Sequence, residues 1–114
     1  MRRISTHILD FAQGKPAANV RVRLEKQSSS GDWRLLTSAR TDQDGRCPEL
    51  LPEGEHLAVG IYRLIFDTGN YFELQNVVTL YPVVEVTFRI REGESHFHIP
   101  LLLSPNGYTT YRGT

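Results

Sequence analysis

Four histidines, one turn arginine and a basic closing tetrapeptide are the residues of this 114-residue chain whose types suit catalysis. A histidine exchanges its proton near neutral pH and so can deprotonate water, and an arginine can hold the oxyanion that water attack builds. His96 and His98 sit two apart in the run Ser95 to Leu103, and in an extended chain they share one face while Phe97, Ile99, Leu101 and Leu103 share the other. His7 interrupts the apolar frame of Ile4 to Leu9, and Arg46 ends the turn Asp42-Gln43-Asp44-Gly45-Arg46. Tyr111-Arg112-Gly113-Thr114 adds a phenol, a guanidinium, a hydroxyl and a carboxylate, an ending that makes sense if it is docked and used.

Two chemistries compete for these groups. His96-x-His98 has the spacing of a zinc-ligand pair that His7 could complete. The alternative is metal-free hydrolysis, with histidine as general base and arginine on the oxyanion. A covalent nucleophile fits less well, since there is no G-x-S-x-G elbow and Cys47 has no base partner in sequence. Glycine-rich phosphate loops are absent. Each residue taken alone also has a plainer account: a polar edge-strand residue for His7, a solvated cation for Arg46, a solvated tail for Arg112. His56, after Glu53-Gly54-Glu55, has no evident role.

The elements that must position these groups are strands. Val20, Val22 and Leu24 alternate with Arg21, Arg23 and Glu25, and Ile61–Phe66 and Val83–Ile90 are β-branched, aromatic-rich runs of strand length. Asp10 to Asn19 reads as a loop, Ser28 to Asp32 as a hairpin turn before Trp33 to Arg40, and Thr41 to Gly54 as a long irregular connection. Pro105-Asn106-Gly107 turns the last two strands back on each other. One short helix is expected near Tyr71 to Gln75. Past His98 the run Ile99-Pro100-Leu101-Leu102-Leu103 is apolar on both faces, which predicts cover on both sides, most easily from a second subunit. Seven or eight short strands point to an antiparallel sandwich, a single domain over residues 1–114.

Bulk properties agree. The chain is 39% hydrophobic and 23% charged with a formal net charge of zero, so disorder, membrane spanning and binding driven by nucleic-acid phosphates are not expected. Met1-Arg2-Arg3 has no apolar stretch behind it and does not read as a secretory signal. One cysteine cannot form an internal disulfide, so a reducing, cytoplasmic setting is expected.

Ile4 to Asp10 with Gly14-Lys15-Pro16-Ala17, then Asp44-Gly45-Arg46, Gly60 to Leu64 with Phe66-Asp67-Thr68-Gly69, and Tyr81 to Val86 together resemble the transthyretin-related proteins over nearly the whole chain. The ending, His96 to Pro105 with Tyr111-Arg112-Gly113-Thr114, is similar to the family's enzymatic branch, the 5-hydroxyisourate hydrolases. The resemblance implies a prealbumin-like antiparallel β-sandwich of about eight strands in two sheets with one short helix. It implies a homotetramer with active sites in the channel between dimers, no metal and no organic cofactor. It implies hydrolytic opening of 5-hydroxyisourate by His7, Arg46 and His98, with Tyr111, Arg112, Gly113 and Thr114 walling the substrate site. The family's tail usually ends in serine; Thr114 keeps the hydroxyl but adds a β-branch that restricts its rotamers. A non-enzymatic small-ligand carrier of the same fold is the alternative, disfavoured by three cations or near-cations in a channel meant for an apolar ligand.

Overall fold

The computed structural model of the chain describes residues 3–114; of the opening Met1-Arg2-Arg3, the first two residues lie outside that range. Nine strands and one helix follow in order: β1 Arg3–Asp10, β2 Lys15–Pro16, β3 Arg21–Gln27, β4 Trp33–Arg40, β5 Arg46–Cys47, β6 Gly60–Phe66, α1 Thr68–Glu73, β7 Val84–Ile90, β8 His96–Ser104 and β9 Gly107–Thr110. They form two sheets, β2-β1-β8-β9 with β5 also on β1, and β4-β3-β6-β7.

The alternation read from the sequence is what makes the two sheets adhere. Ile4 and Ile8 of β1 and Phe97, Ile99, Leu101 and Leu103 of β8 point inward, and meet Val22 and Leu24 of β3, Leu64 and Phe66 of β6, and Val84 and Ile90 of β7. Tyr62 is fully buried in the same core and stacks on Phe88. Helix α1 drops Phe72 into one end of the core. It begins three residues before the expected start and stops two before the expected end: the N–H groups of Gln75 and Asn76 bond only three residues back, to Phe72 and Glu73, and Asn76 takes a left-handed conformation (φ 58°) that the helix cannot continue through. Among the described residues no helix is long and apolar enough to cross a membrane.

The expected sandwich therefore forms, with one pairing that the pattern did not announce. β1 and β8 run parallel, in register from Arg3 opposite His96 to Asp10 opposite Leu103. Two stretches read as irregular also contribute short strands to the free edge of β1: β2 opposite Leu9 and Asp10, and β5 opposite Thr6 and His7. The outer side of β8 is covered in part by the chain's own tail: Pro100 is buried there, and Gly113 lies against it.

Candidate active site

The parallel register decides which side chains meet. Ser5 lies opposite His98 across β1 and β8, and both project from the outer face of the sheet. Ser5 Oγ and His98 Nδ1 are 2.9 Å apart, a hydrogen bond between residues 93 positions apart in sequence. It fixes the imidazole plane and directs Nε2 away from Ser5. When Nδ1 carries the proton and donates it to Ser5, Nε2 is left with the lone pair a base needs.

Arg46 reaches the same face from the edge. Asp42 folds the turn, its Oδ1 accepting from the backbone N–H of Asp44 at 2.9 Å and of Arg46 at 3.0 Å. Gly45 closes the turn at φ 75°, with the space a Cβ would need already taken by the Ile8 carbonyl oxygen. A side chain there would expel β5 from β1, and Arg46 with it. β5 sets Arg46 opposite His7. His7 Nε2 donates to the Asp44 carbonyl at 2.9 Å, so its Nε2 carries a proton and Nδ1 is the nitrogen free to accept when the ring is neutral.

The C-terminal tail then lies down on the imidazole. Gly113 N donates to His98 O at 2.7 Å. A Cβ on Gly113 would stand 2.5 Å from His98 Cδ2 and 3.1 Å from Pro100 Cγ, so only glycine lets the tail come this close. Arg112, the residue before, donates from Nη1 to Glu94 Oε2 at 2.6 Å and from Nη2 to the His96 carbonyl at 3.0 Å. Its guanidinium lies 4.8 Å from the centre of the Phe97 ring.

These pieces enclose a cleft of about 420 Å³ whose lining includes Arg3, Arg46, Arg112, His96, His98 and Thr114. No aspartate or glutamate side chain lines it among the described residues, and of its three guanidinium groups those of Arg3 and Arg112 are paired with Glu49 and Glu94. Burial first, and then the charges of Arg46 and His7, push the His98 pKa below its ordinary value of 6.5. His98 is therefore a neutral imidazole at pH 7, half-buried and beside a guanidinium: the state of a general base next to an oxyanion holder.

Of the expected residues, His98, Arg46, Arg112, Gly113 and Thr114 line this cleft. His7 is not in its wall; it stands beside Arg46 on the neighbouring strand and its charge is felt at His98. Tyr111 turns the other way, into a crevice with Val86, Phe88 and Ile99 at the edge between the sheets. His96 lines the cleft on the same strand face as His98, and among the described residues no group of three or more His, Cys, Asp or Glu comes together as a metal site. Cys47 is buried in the core, where desolvation first and Asp42 second push its thiol to about 11, far from the pKa of a working nucleophile. Ser5 and Glu94 also belong to the site, and the sequence alone does not point to them. Nothing local distinguishes them, and only the β1–β8 register and the fold-back of the tail bring them to the site.

Comparison with known proteins gives a consistent picture. The sequence model of the HIUase/Transthyretin family matches residues 4–113. The 5-hydroxyisourate hydrolase of Salmonella dublin is 49% identical over 111 residues, covering 97% of this chain and 80% of that protein. The structure of Klebsiella pneumoniae 5-hydroxyisourate hydrolase superimposes with a TM-score of 0.87 at 34% identity, covering all of both chains. Sea bream transthyretin in complex with thyroxine superimposes with a TM-score of 0.91 at 33% identity, covering 98% of this chain and 95% of that one.

Proposed function

The chain belongs to the HIUase/Transthyretin family, and on that premise we propose that it hydrolyses 5-hydroxyisourate, opening the lactam ring to 2-oxo-4-hydroxy-4-carboxy-5-ureidoimidazoline during urate degradation. The observation that carries the reading is the neutral, Ser5-bonded imidazole of His98 in a cleft shared with Arg46. A carbonyl-rich purinoid needs what that cleft offers. His98 Nε2 takes a proton from water, the resulting hydroxide adds to the lactam carbonyl, and Arg46 holds the charge that builds on the oxygen. The C–N bond then breaks as protonated His98 returns its proton to the ring nitrogen. His7, its Nε2 proton given to the Asp44 carbonyl, offers Nδ1 to the substrate or the water. A positioned base contributes about 10²- to 10⁴-fold, or roughly 3–5 kcal/mol of barrier.

The carrier reading fits this cleft poorly, since an iodinated aromatic hormone there would desolvate the Arg46 guanidinium in its wall. Assembly as a homotetramer with sites between dimers belongs to the same proposal. It is supported by the half-buried Leu102 on the outer face of β8, beside Leu9 of β1. The single cysteine supports a reducing, cytoplasmic setting.

The test is the ultraviolet decay of 5-hydroxyisourate freshly generated from urate by urate oxidase, with the spontaneous decay subtracted. We expect acceleration proportional to protein and undiminished by a chelator, and its loss by about 10²-fold or more in His98→Ala with the fold retained. No acceleration by the folded protein would overturn the reading, and wild-type turnover in His98→Ala would overturn the role of His98.

A further inference from the structure

Among the described residues, both polar contacts of the Arg112 guanidinium point toward the β7–β8 turn and the start of β8 rather than into the cleft. Nη1 donates to Glu94 and Nη2 to the His96 carbonyl, while the flat of the guanidinium rests on Phe97. Glu94 is itself gripped from its other side, where Arg91 donates Nε to Oε1 at 3.0 Å and Nη2 to Oε2 at 3.2 Å. A planar fork held at two nitrogens and on one face has little freedom left to meet a substrate. The next residue is Gly113, whose amide bonds to His98 and whose missing Cβ sets the distance of the tail from the imidazole.

We propose that Glu94 is a positioning residue for the hydrolase: with Arg91 it latches Arg112, and the latch seats Gly113 and Thr114 over His98. The turn that leads into His96-Phe97-His98 thus also carries the clamp for the segment lying across them, so the two walls of the cleft are fixed to one another. Arg112 acts through the tail and not on the reacting atoms. This rests on the hydrolase reading above for its effect on turnover, though not for its effect on the tail. Glu94 and Arg112 are partly exposed, at 24% and 49% of their side chains, so the latch is the kind of contact that salt screens.

The experiment compares Glu94→Gln, Arg112→Gln and the double variant, with Glu92→Gln, the other carboxylate of the turn, as control. Two quantities are read: kcat/KM for 5-hydroxyisourate, and hydrogen exchange of the C-terminal peptide by mass spectrometry. Each single variant should lose about tenfold in kcat/KM and exchange faster at the C-terminal peptide, with exchange in β6 unchanged. The double variant should lose no more than Arg112→Gln alone, because Glu94 acts only through Arg112. Glu92→Gln should match the wild type in both readouts. Unchanged exchange in Glu94→Gln, or losses that multiply in the double variant, would overturn the proposal. A wild-type protein without hydrolase activity would overturn the function instead, and the exchange measurement would still decide the latch.

Discussion

Gly113→Ala is the sharpest perturbation of the site, because one methyl group sets the integrity of the imidazole against that of the tail. The new Cβ would stand 2.5 Å from His98 Cδ2, 3.1 Å from Pro100 Cγ and 3.3 Å from His98 Cγ. Carbon atoms rest at about 3.5–4.0 Å, so something must yield by about 1 Å. If the ring swings away, it leaves Ser5 Oγ, now at 2.9 Å, and Nε2 is misdirected. If the tail lifts, the 2.7 Å bond from Gly113 N to His98 O is lost and Thr114 leaves the cleft. Either yield costs the fold about 1 kcal/mol, the net value of one hydrogen bond. Catalysis is far less tolerant: a misplacement of about 1 Å is worth about 10²-fold, or roughly 2.7 kcal/mol of barrier. The expected result is a kcat/KM for 5-hydroxyisourate reduced about 100-fold with thermal unfolding within a few degrees of wild type. A Gly113→Ala protein within threefold of wild type would refute the reasoning, since it would mean that neither the ring nor the tail needs its place.

Two further outcomes follow from the ionisation of single groups. Because His98 is held below its ordinary pKa of 6.5, it stays neutral as the pH falls through that value. kcat/KM should therefore be level through neutrality and fall only with a midpoint below 6.5; a midpoint above 6.5 in the pH–rate profile would contradict His98 as the base. With the Cys47 thiol pushed up to about 11, only about one molecule in 10⁴ carries a thiolate at pH 7. The native protein should keep its activity through iodoacetamide treatment, and inactivation without unfolding would bring back a covalent route.

What could be read from the sequence was what one residue says to its immediate neighbours. The alternation of Phe97, Ile99, Leu101 and Leu103 with His96 and His98 fixes which face is core and which carries the imidazoles. The glycine before Arg46 signals a turn that delivers a cation. The histidines, Arg46 and the tail were brought into view further by the family resemblance. Partnerships set by register could not be read. Ser5 is one serine among many until β1 lies parallel to β8 and brings it opposite His98. Glu94 is one turn carboxylate among several until Arg112 folds back onto it. β5 is two residues long and is held by the Gly45 turn and its bond to Ile8, not by any strand-like pattern of its own. The end of α1 is set at Asn76, a single conformational choice that composition does not reveal.

The parallel β1–β8 pair has a consequence for how the molecule comes into being. The β4-β3-β6-β7 sheet can grow from a hairpin whose turn spans Ser28 to Asp32, so its first contacts close a very short loop. The sheet that carries the histidines starts from two hairpins, β1–β2 and β8–β9, but these join only when Ser5 and His98 find one another across 93 positions. That is a little more than one doubling of the 36 to 44 positions that separate β3 from β6 in the other sheet, and roughly 0.6 kcal/mol more closure entropy before any contact repays it. The β4-β3-β6-β7 sheet should therefore gather first and serve as the template on which β1 and β8 meet. Chains arrested at that stage would be compact and rich in strand, yet would have no cleft.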